Sequence, residues 1–305
     1  MSEPPSQFAP VPTLYRSSAD GAAIAVFEVA ASEEGAGRPR PGPARAEPPP
    51  LLLIHGATAD HTTWRVAGPL LARSRRVFAM DRRGRGASGD GPDVEYAIEL
   101  EYADVATVAQ ALADTLAAGA DGLVDLAGHS YGGRCGLGAS LLTTSIRRLV
   151  VYEGAPVPPG LSYRPPGLVE AVRAALERGD NEAALSTFLG GIVGMSEAGL
   201  AAYRAEPVWP ARVAAAHTIL REIEAEATAA ASIEALAAVT APVLLLLGSI
   251  SRSPFRIGTD ALAARLAHAE VQVIDGAAHA AHHTHADSFV RLVEAFLDVP
   301  LDGWP

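Results

Sequence analysis

The stretch "LVDLAGHSYGG", Leu123 to Gly133, decides the fold. Its first half is an apolar run typical of a buried strand, and "YGGRCGLGASLLTTS" after it has the length of a helix. Between them Ser130 lies two residues after Gly128 and two before Gly132, which is the G-x-S-x-G pattern in its strand–turn–helix context. A glycine-rich turn can also cradle a phosphate, but this one matches neither G-x-G-x-x-G nor the P-loop with its lysine. The pattern therefore predicts that Ser130 is a nucleophile whose hydroxyl is exposed by a sharp turn.

Short apolar runs bounded by glycine or charge surround this turn on both sides. They are "LLLIHG", "RVFAMD", "RRLVVYEG", "PVLLLLG" and "VQVIDG". Continuous apolarity of this kind predicts strands that are buried on both faces. Helix-length segments such as "EYADVATVAQALADTLAAG" separate most of them, so we predict an α/β fold with a mostly parallel, twisted sheet flanked by helices. Upstream, "TLYRSSADGAAIAVFEVA" alternates around a turn and predicts a two-stranded hairpin.

The alternation of strands and helices stops between Pro156 and Ala241. This segment is rich in helical patterns such as "GLVEAVRAALERG", and too few strands follow it to form a second sheet. We predict a core made of residues 1–155 and 241–305, with an inserted helical cap at 156–240 over the carboxyl ends of the strands. Two unrelated domains are the alternative. Residues 31–50 follow neither period and are interpreted as a flexible loop.

The composition excludes several classes of protein. With 305 residues, 49% of them hydrophobic, the chain can bury a large core, and its net charge of -11 leaves no basic surface for nucleic acid. The single cysteine, Cys135, excludes an internal disulfide framework. The start lacks a signal-peptide pattern, and the apolar stretch before Gly248 is broken by Thr240 and Pro242. We expect a cytoplasmic protein without membrane partners, and the composition does not exclude a homo-oligomer.

From about Leu51 to the C-terminus the chain resembles the α/β-hydrolase family. Besides G-x-S-x-G, the resemblance rests on "IHGATADHTTW", where the family carries its oxyanion-hole turn, on "DRRGRGASG", and on "VIDGAAHAAH". It implies the α/β-hydrolase fold, an oxyanion hole formed by the backbone N–H groups of Ala57 and Tyr131, and His279 as the base that acts on Ser130. Serine before histidine is the chain order of this fold.

Four histidines lie close together after the last apolar run: His279, His282, His283 and His285. His279 and His283 stand four residues apart and could share one helical face as metal ligands. However, no glutamate follows the first histidine as in H-E-x-x-H, and a catalytic zinc needs a third anchored ligand. We therefore expect no metal and no cofactor, and interpret the three later histidines as neighbours of the site or solvated residues.

The acid of a serine–histidine site is the least regular part of the pattern. In most of the family it follows the strand that here is "PVLLLLG", but the residues after it contain no Asp or Glu before Asp260. We predict Glu153, at the end of "RRLVVYEG", as the acid; some members of the family, including the fungal zearalenone lactonase, carry a glutamate in this place. Asp260 is the reserve candidate. The alternative for Glu153 is a structural ion pair with an arginine at the cap hinge.

These residues together predict a serine hydrolase that cleaves a hydrophobic carboxylic ester or lactone through an acyl-enzyme. A zearalenone-type macrolactone is the most specific candidate. Six residues are predicted to bind the substrate, although residues of these types are more often plain core. They are Trp64, Tyr163, Phe188, Met195, Tyr203 and Trp209. A carbon–carbon bond hydrolase, a biosynthetic lyase or cyclase, and a low-turnover ligand receptor are the alternatives.

Overall fold

The computed structural model describes residues 8–9, 11–17, 19–32, 47–92, 95–116 and 122–299. Within these ranges eight strands form one sheet, in the spatial order β1-β2-β4-β3-β5-β6-β7-β8. The strands are β1 (Thr13–Arg16), β2 (Ala23–Glu28), β3 (Leu51–Ile54), β4 (Val77–Met80), β5 (Val124–His129), β6 (Ile146–Tyr152), β7 (Val243–Gly248) and β8 (Ala269–Ile274).

The helices lie on both sides of this sheet and in the long connection between β6 and β7. They are α1 (Ala67–Leu71), α2 (Ile98–Leu116), α3 (Tyr131–Ala139), α4 (Leu168–Glu177), α5 (Asn181–Phe188), α6 (Glu197–Tyr203), α7 (Trp209–Ala214), α8 (Ile219–Ala225), α9 (Ile233–Leu236), α10 (Ser253–Ala263), α11 (Ala281–Thr284) and α12 (Ala286–Leu297).

The pairing of the strands confirms the predicted hairpin and the mostly parallel sheet. β1 and β2 are antiparallel to each other, β2 is antiparallel to β4, and the strands from β4 to β8 pair in parallel. The prediction of burial on both faces is wrong for strand β8, because Val271 and Val273 are 38% and 44% exposed. Among the described strands it pairs only with β7, and it forms an edge of the sheet.

The core is divided by the sheet into two apolar layers. Because side chains alternate along a strand, Leu52 and Ile54 of β3 pack with residues of α2 and α3, whereas Leu51 and Leu53 pack with residues of α1 and α12. Burial on both faces explains why these strands are continuously apolar in sequence.

Six helices, α4 to α9, lie between β6 and β7, as the helical periodicity of that segment predicts. Residues of α4, α5 and α8 share an apolar cluster that is separate from the two layers of the sheet. In contrast, Ile233 and Leu236 of α9 pack into the layer of α2, α3 and α10. The end of the helical segment is therefore part of the packing of the sheet.

Two further expectations concern the flexible loop at residues 31–50 and the lack of a membrane-spanning segment. Residues 33–46 of the predicted flexible loop lie outside the described residues. None of the described helices is long and apolar enough to cross a membrane.

Candidate active site

Ser130 occupies the turn between β5 and α3 with backbone angles φ 53° and ψ −125°. A positive φ costs a residue other than glycine about 1–3 kcal/mol, so the surroundings must hold it in place. Its N–H donates to the carbonyl oxygen of Tyr152 at 2.8 Å. A Cβ on Gly132 would lie 2.3 Å from the carbonyl oxygen of His55, and one on Gly128 would meet the backbone of α3 at 2.5 Å. The two glycines of the motif are therefore required by close backbone approach.

Ala57 and Tyr131, the predicted oxyanion-hole residues, both lie near Ser130: Tyr131 directly follows it, and Ala57 belongs to the loop after β3. Tyr131 is the first residue of α3, where backbone N–H groups have no partner within the helix. Ala57 follows Gly56, whose position is so close to the serine that a Cβ would lie 3.1 Å from the Cβ of Ser130. Both residues line a small cavity together with Ser130. N–H groups placed there can stabilise negative charge that develops beside the serine.

His279 follows β8 and is buried beside the ends of β6 and β7. Its Nδ1 lies 2.6 Å from Oε2 of Glu153, and the ring of Phe255 stacks on the imidazole with 4.3 Å between centroids. His279 and Ser130 line the same larger cavity. The structure thus brings together the serine, the histidine and one carboxylate.

Glu153 lies directly after β6, where its backbone φ is 50°, and its side chain is buried. Its second oxygen, Oε1, accepts hydrogen bonds from the N–H of Gly248 at 2.7 Å and from the Oγ of Ser251 at 2.5 Å. The residues after β7, where the common pattern has its acid, therefore supply donors that orient Glu153. Asp260 is exposed on α10 and does not line either cavity.

The other clustered histidines have different surroundings. His282 is 2% exposed, and its Nε2 lies 3.4 Å from Oγ1 of Thr63. Burial lowers the pKa of His282 well below its usual range, so the ring is neutral at pH 7. His283 is half-buried, with its Nε2 3.0 Å from Nη2 of Arg65, and burial lowers its pKa as well. His285 is half-buried and contacts its neighbour in sequence through Nδ1.

Sequence reasoning missed His129, which adjoins the site. Its Nε2 lies 2.7 Å from the carbonyl oxygen of His279, and its ring centroid is 4.4 Å from that of His282. Burial lowers the pKa of His129 well below its usual range, so its ring is neutral and donates through Nε2 to the carbonyl. Its position directly before Ser130 in the motif was the available signal.

Two cavities meet at Ser130. The larger has a volume of about 290 Å³ and also contains His279, whereas the smaller has a volume of about 40 Å³. Among the predicted substrate-binding residues, Phe188 lines both cavities and Tyr163 the smaller one. Met195 and Tyr203 line the larger one. Both cavities contain apolar and charged side chains.

The two tryptophans differ from the sequence prediction. Trp64 is fully buried in the layer of α1 and α12, with its ring 6.2 Å from that of Phe289. Trp209 is buried in the helical segment and packs edge-on against Tyr203 at 5.7 Å. Neither residue lines a cavity at Ser130, because the side chain of each packs within an apolar cluster instead.

Buried ion pairs join the helical segment to the sheet, and sequence reasoning did not anticipate them. Glu222 of α8 binds the guanidinium groups of Arg82 and Arg85, which follow β4. Glu101 of α2 binds the same two arginines, at 2.6 Å and 3.3 Å. Burial favours such pairing because an isolated buried charge is costly. One α8 side chain is thereby fixed near Ser130.

Comparison with known proteins gives a family match over most of the chain. A family model described as "Alpha/beta hydrolase family" matches residues 51–292. The 2-hydroxy-6-oxo-6-(2'-aminophenyl)hexa-2,4-dienoic acid hydrolase of Metapseudomonas resinovorans is 35% identical over 109 residues, 35% of this chain and 35% of that protein. The N-formylmaleamate deformylase of Pseudomonas putida is 32% identical over 129 residues, 41% of this chain and 46% of that protein. The chain thus matches less than half the length of these relatives.

Solved structures resemble most of the chain. An alpha/beta hydrolase from Sphaerobacter thermophilus superimposes with a TM-score of 0.72 at 24% identity, covering 93% of this chain and 99% of that one. The enol-lactonase from Burkholderia xenovorans superimposes with a TM-score of 0.68 at 20% identity, covering 94% and 100%. At these identities the likeness shows the fold, and activity must be argued from the site.

Proposed function

Because the chain belongs to the alpha/beta hydrolase family, we propose that this hydrolase cleaves a hydrophobic carboxylic ester or lactone through an acyl-enzyme on Ser130. The observation that carries the proposal is the 2.6 Å contact between His279 Nδ1 and Glu153, with His279 and Ser130 on one cavity wall. A serine becomes a nucleophile when a base takes its proton and a carboxylate orients that base.

The reaction has two halves. In the first, Oγ of Ser130 attacks the substrate carbonyl while Nε2 of His279 takes the hydroxyl proton, and the N–H groups of Ala57 and Tyr131 stabilise the oxyanion. The carbon–oxygen bond then breaks, and His279 gives its proton to the leaving alcohol. In the second half, His279 removes a proton from water, which attacks the acyl-enzyme; the bond between the acyl carbon and Oγ of Ser130 breaks, His279 returns the proton to Oγ, and the acid is released. Glu153 stabilises the cationic imidazole in both halves.

The helical segment acts as a cap over this chemistry. Phe188, Met195 and Tyr203 come from α5, α6 and the turn between them, and they contribute to the wall of the larger cavity. A wall of this kind supplies apolar contact area to a substrate and keeps water away from the reacting atoms.

A bulky ester or lactone is the expected substrate, with a zearalenone-type macrolactone as the most specific candidate. Support comes from the position of Glu153 after β6 and from the aromatic and apolar part of the larger cavity. We expect kcat/KM for zearalenone to exceed that for short acyl esters such as phenyl acetate, measured by chromatography of the ring-opened product. Faster cleavage of the short esters would rule out the macrolactone as the preferred substrate, but it would still support hydrolysis of carboxylic esters.

Carbon–carbon bond hydrolysis is the second candidate. The similarity to a hydrolase of a hexa-2,4-dienoic acid favours it. So does Arg212 in the larger cavity, because its guanidinium contacts Oγ1 of Thr58 at 3.1 Å and forms no ion pair among the described residues, which leaves it able to bind a substrate carboxylate. Loss of the visible absorbance of a 2-hydroxy-6-oxo-dienoate on addition of the protein, with kcat/KM above that for any ester, would favour this candidate.

Activity is expected to be independent of metal ions. Among the described residues no group of three or more His, Cys, Asp or Glu side chains could hold a metal. His279 contacts the carboxylate of Glu153, and His283 contacts the guanidinium of Arg65. After prolonged dialysis against EDTA, ester hydrolysis should therefore remain within about twofold of the starting rate, since no step of a serine mechanism needs a metal. Loss of activity that zinc restores would contradict this expectation.

A further inference from the structure

The smaller cavity contains a charged side chain that the proposed reaction does not use. Glu222 of α8 is 2% exposed and lines this cavity together with Ser130. Its Oε1 is bound by Arg82 and Arg85. Its Oε2 is buried and has no hydrogen-bond partner among the described residues. A buried carboxylate oxygen without a partner retains an unused acceptor capacity, and the side chain that carries it borders the cavity.

A donor lies in the same wall. Arg134, one turn into α3 after Ser130, is 3% exposed and lines the cavity. Its Nη1 forms an ion pair with Oε1 of Glu226 at 2.9 Å, and neither Nη1 nor the buried Nε makes a hydrogen bond among the described residues. The small cavity therefore offers at least one buried acceptor and one buried donor.

The charges of the wall decide which groups fit. A carboxylate would be repelled by Glu153, Glu222 and Glu226, and an ammonium group has no lone pair to accept a hydrogen bond from Arg134. A neutral hydroxyl can donate to the carboxylate of Glu222 and can also accept from the guanidinium of Arg134. The volume of about 40 Å³ also suits a small group, since one water needs roughly 10–15 Å³ measured in this way.

The position of the catalytic base decides which part of the substrate occupies the smaller cavity. The leaving group must receive its proton from His279, which lines the larger cavity and not the smaller one. The acyl part is then left to the smaller cavity. Resting on the ester or lactone hydrolysis proposed above, and not on its macrolactone candidate, we propose that Glu222 and Arg134 form a specificity site for a hydroxyl on a short acyl chain, so that hydroxyacyl esters or lactones are the preferred substrates.

A pair of synthetic esters tests the proposal on the unmodified protein. Phenyl 3-hydroxybutanoate and phenyl 3-methylbutanoate differ only by a hydroxyl in place of a methyl group of similar size. We expect kcat/KM to be at least about tenfold higher for the hydroxy ester, because a hydrogen bond to a charged group is made only by that ester. Equal rates, or a preference for the methyl ester, would overturn the proposal and leave the serine hydrolase intact. Cleavage of neither ester would overturn both.

Two matched variants separate recognition from structure. Glu222→Gln and Glu101→Gln each remove one carboxylate from the same arginine pair, but Glu101 does not line the cavity. Both should lower the melting temperature, whereas only Glu222→Gln should reduce the preference for the hydroxy ester, by about tenfold. Equal changes of the preference in both variants would identify a structural role and overturn the proposal. The proposal would also be overturned if Glu222→Gln slowed deacylation equally for both esters, because Glu222 would then position water. If Glu222→Gln does not fold, the ester pair on the wild type decides.

Discussion

Ser130→Ala is expected to lower kcat for ester hydrolysis by at least about 10⁴-fold, because no other group can form the acyl-enzyme. The melting temperature should change little. The strained backbone at Ser130 is held by the hydrogen bond to Tyr152 and by the packing of the flanking glycines, and none of these contacts involves the hydroxyl. Circular dichroism on the same sample checks that the loss of activity is not a loss of fold.

Covalent labelling gives the same prediction a readout that does not depend on the substrate. A fluorophosphonate should add to Ser130 of the wild type, as located by mass spectrometry of peptides, and should leave Ser130→Ala unlabelled. In His279→Ala labelling should slow by orders of magnitude, since the base is needed to activate the hydroxyl. Labelling of Ser130→Ala at the wild-type rate would remove Ser130 from the mechanism.

Glu153→Gln is expected to lower kcat by roughly 10² to 10⁴ with little change in KM, by analogy with amide substitutions of other triad acids. The amide keeps the shape of the side chain but has no charge to stabilise the imidazolium, and it can turn an N–H group toward Nδ1 of His279. Steady-state kinetics at pH 7 measure both parameters.

Asp260→Asn is the matched control, since it removes one negative charge from an exposed position on α10. It should be nearly silent. If Asp260→Asn were inactive and Glu153→Gln close to wild type, the acid would lie in its common position, and Glu153 would be a structural residue at the start of the helical segment.

The parts of the molecule that sequence could predict are those encoded by local patterns. The apolar runs predicted the positions of the parallel strands, because a strand that is buried on both faces must be continuously apolar. The spacing of Gly128, Ser130 and Gly132 placed the turn because only glycine tolerates that backbone approach. Glu153 and His279 follow strands that end at the same edge of the sheet, so their proximity follows from the parallel topology.

The parts that sequence could not predict depend on contacts between distant segments. Trp64 is an aromatic residue close to the oxyanion turn in sequence, but its ring fills the layer under α12. Glu222 occurs in an ordinary amphipathic helix, and only the packing of α8 on the turn after β4 shows that its carboxylate is buried. The exposure of β8 depends on its place at the edge of the sheet, which the apolar run alone does not reveal.

The contact of Ser251 with Glu153 limits where a second acid could lie. Oγ of Ser251 lies 2.5 Å from Oε1 of Glu153, in the loop after β7. An aspartate at position 251 would bring two carboxylates together, and like charges at such a distance disfavour ionisation of both. Moving the acid of this site from position 153 to position 251 would therefore need coupled substitutions at the ends of β6 and β7.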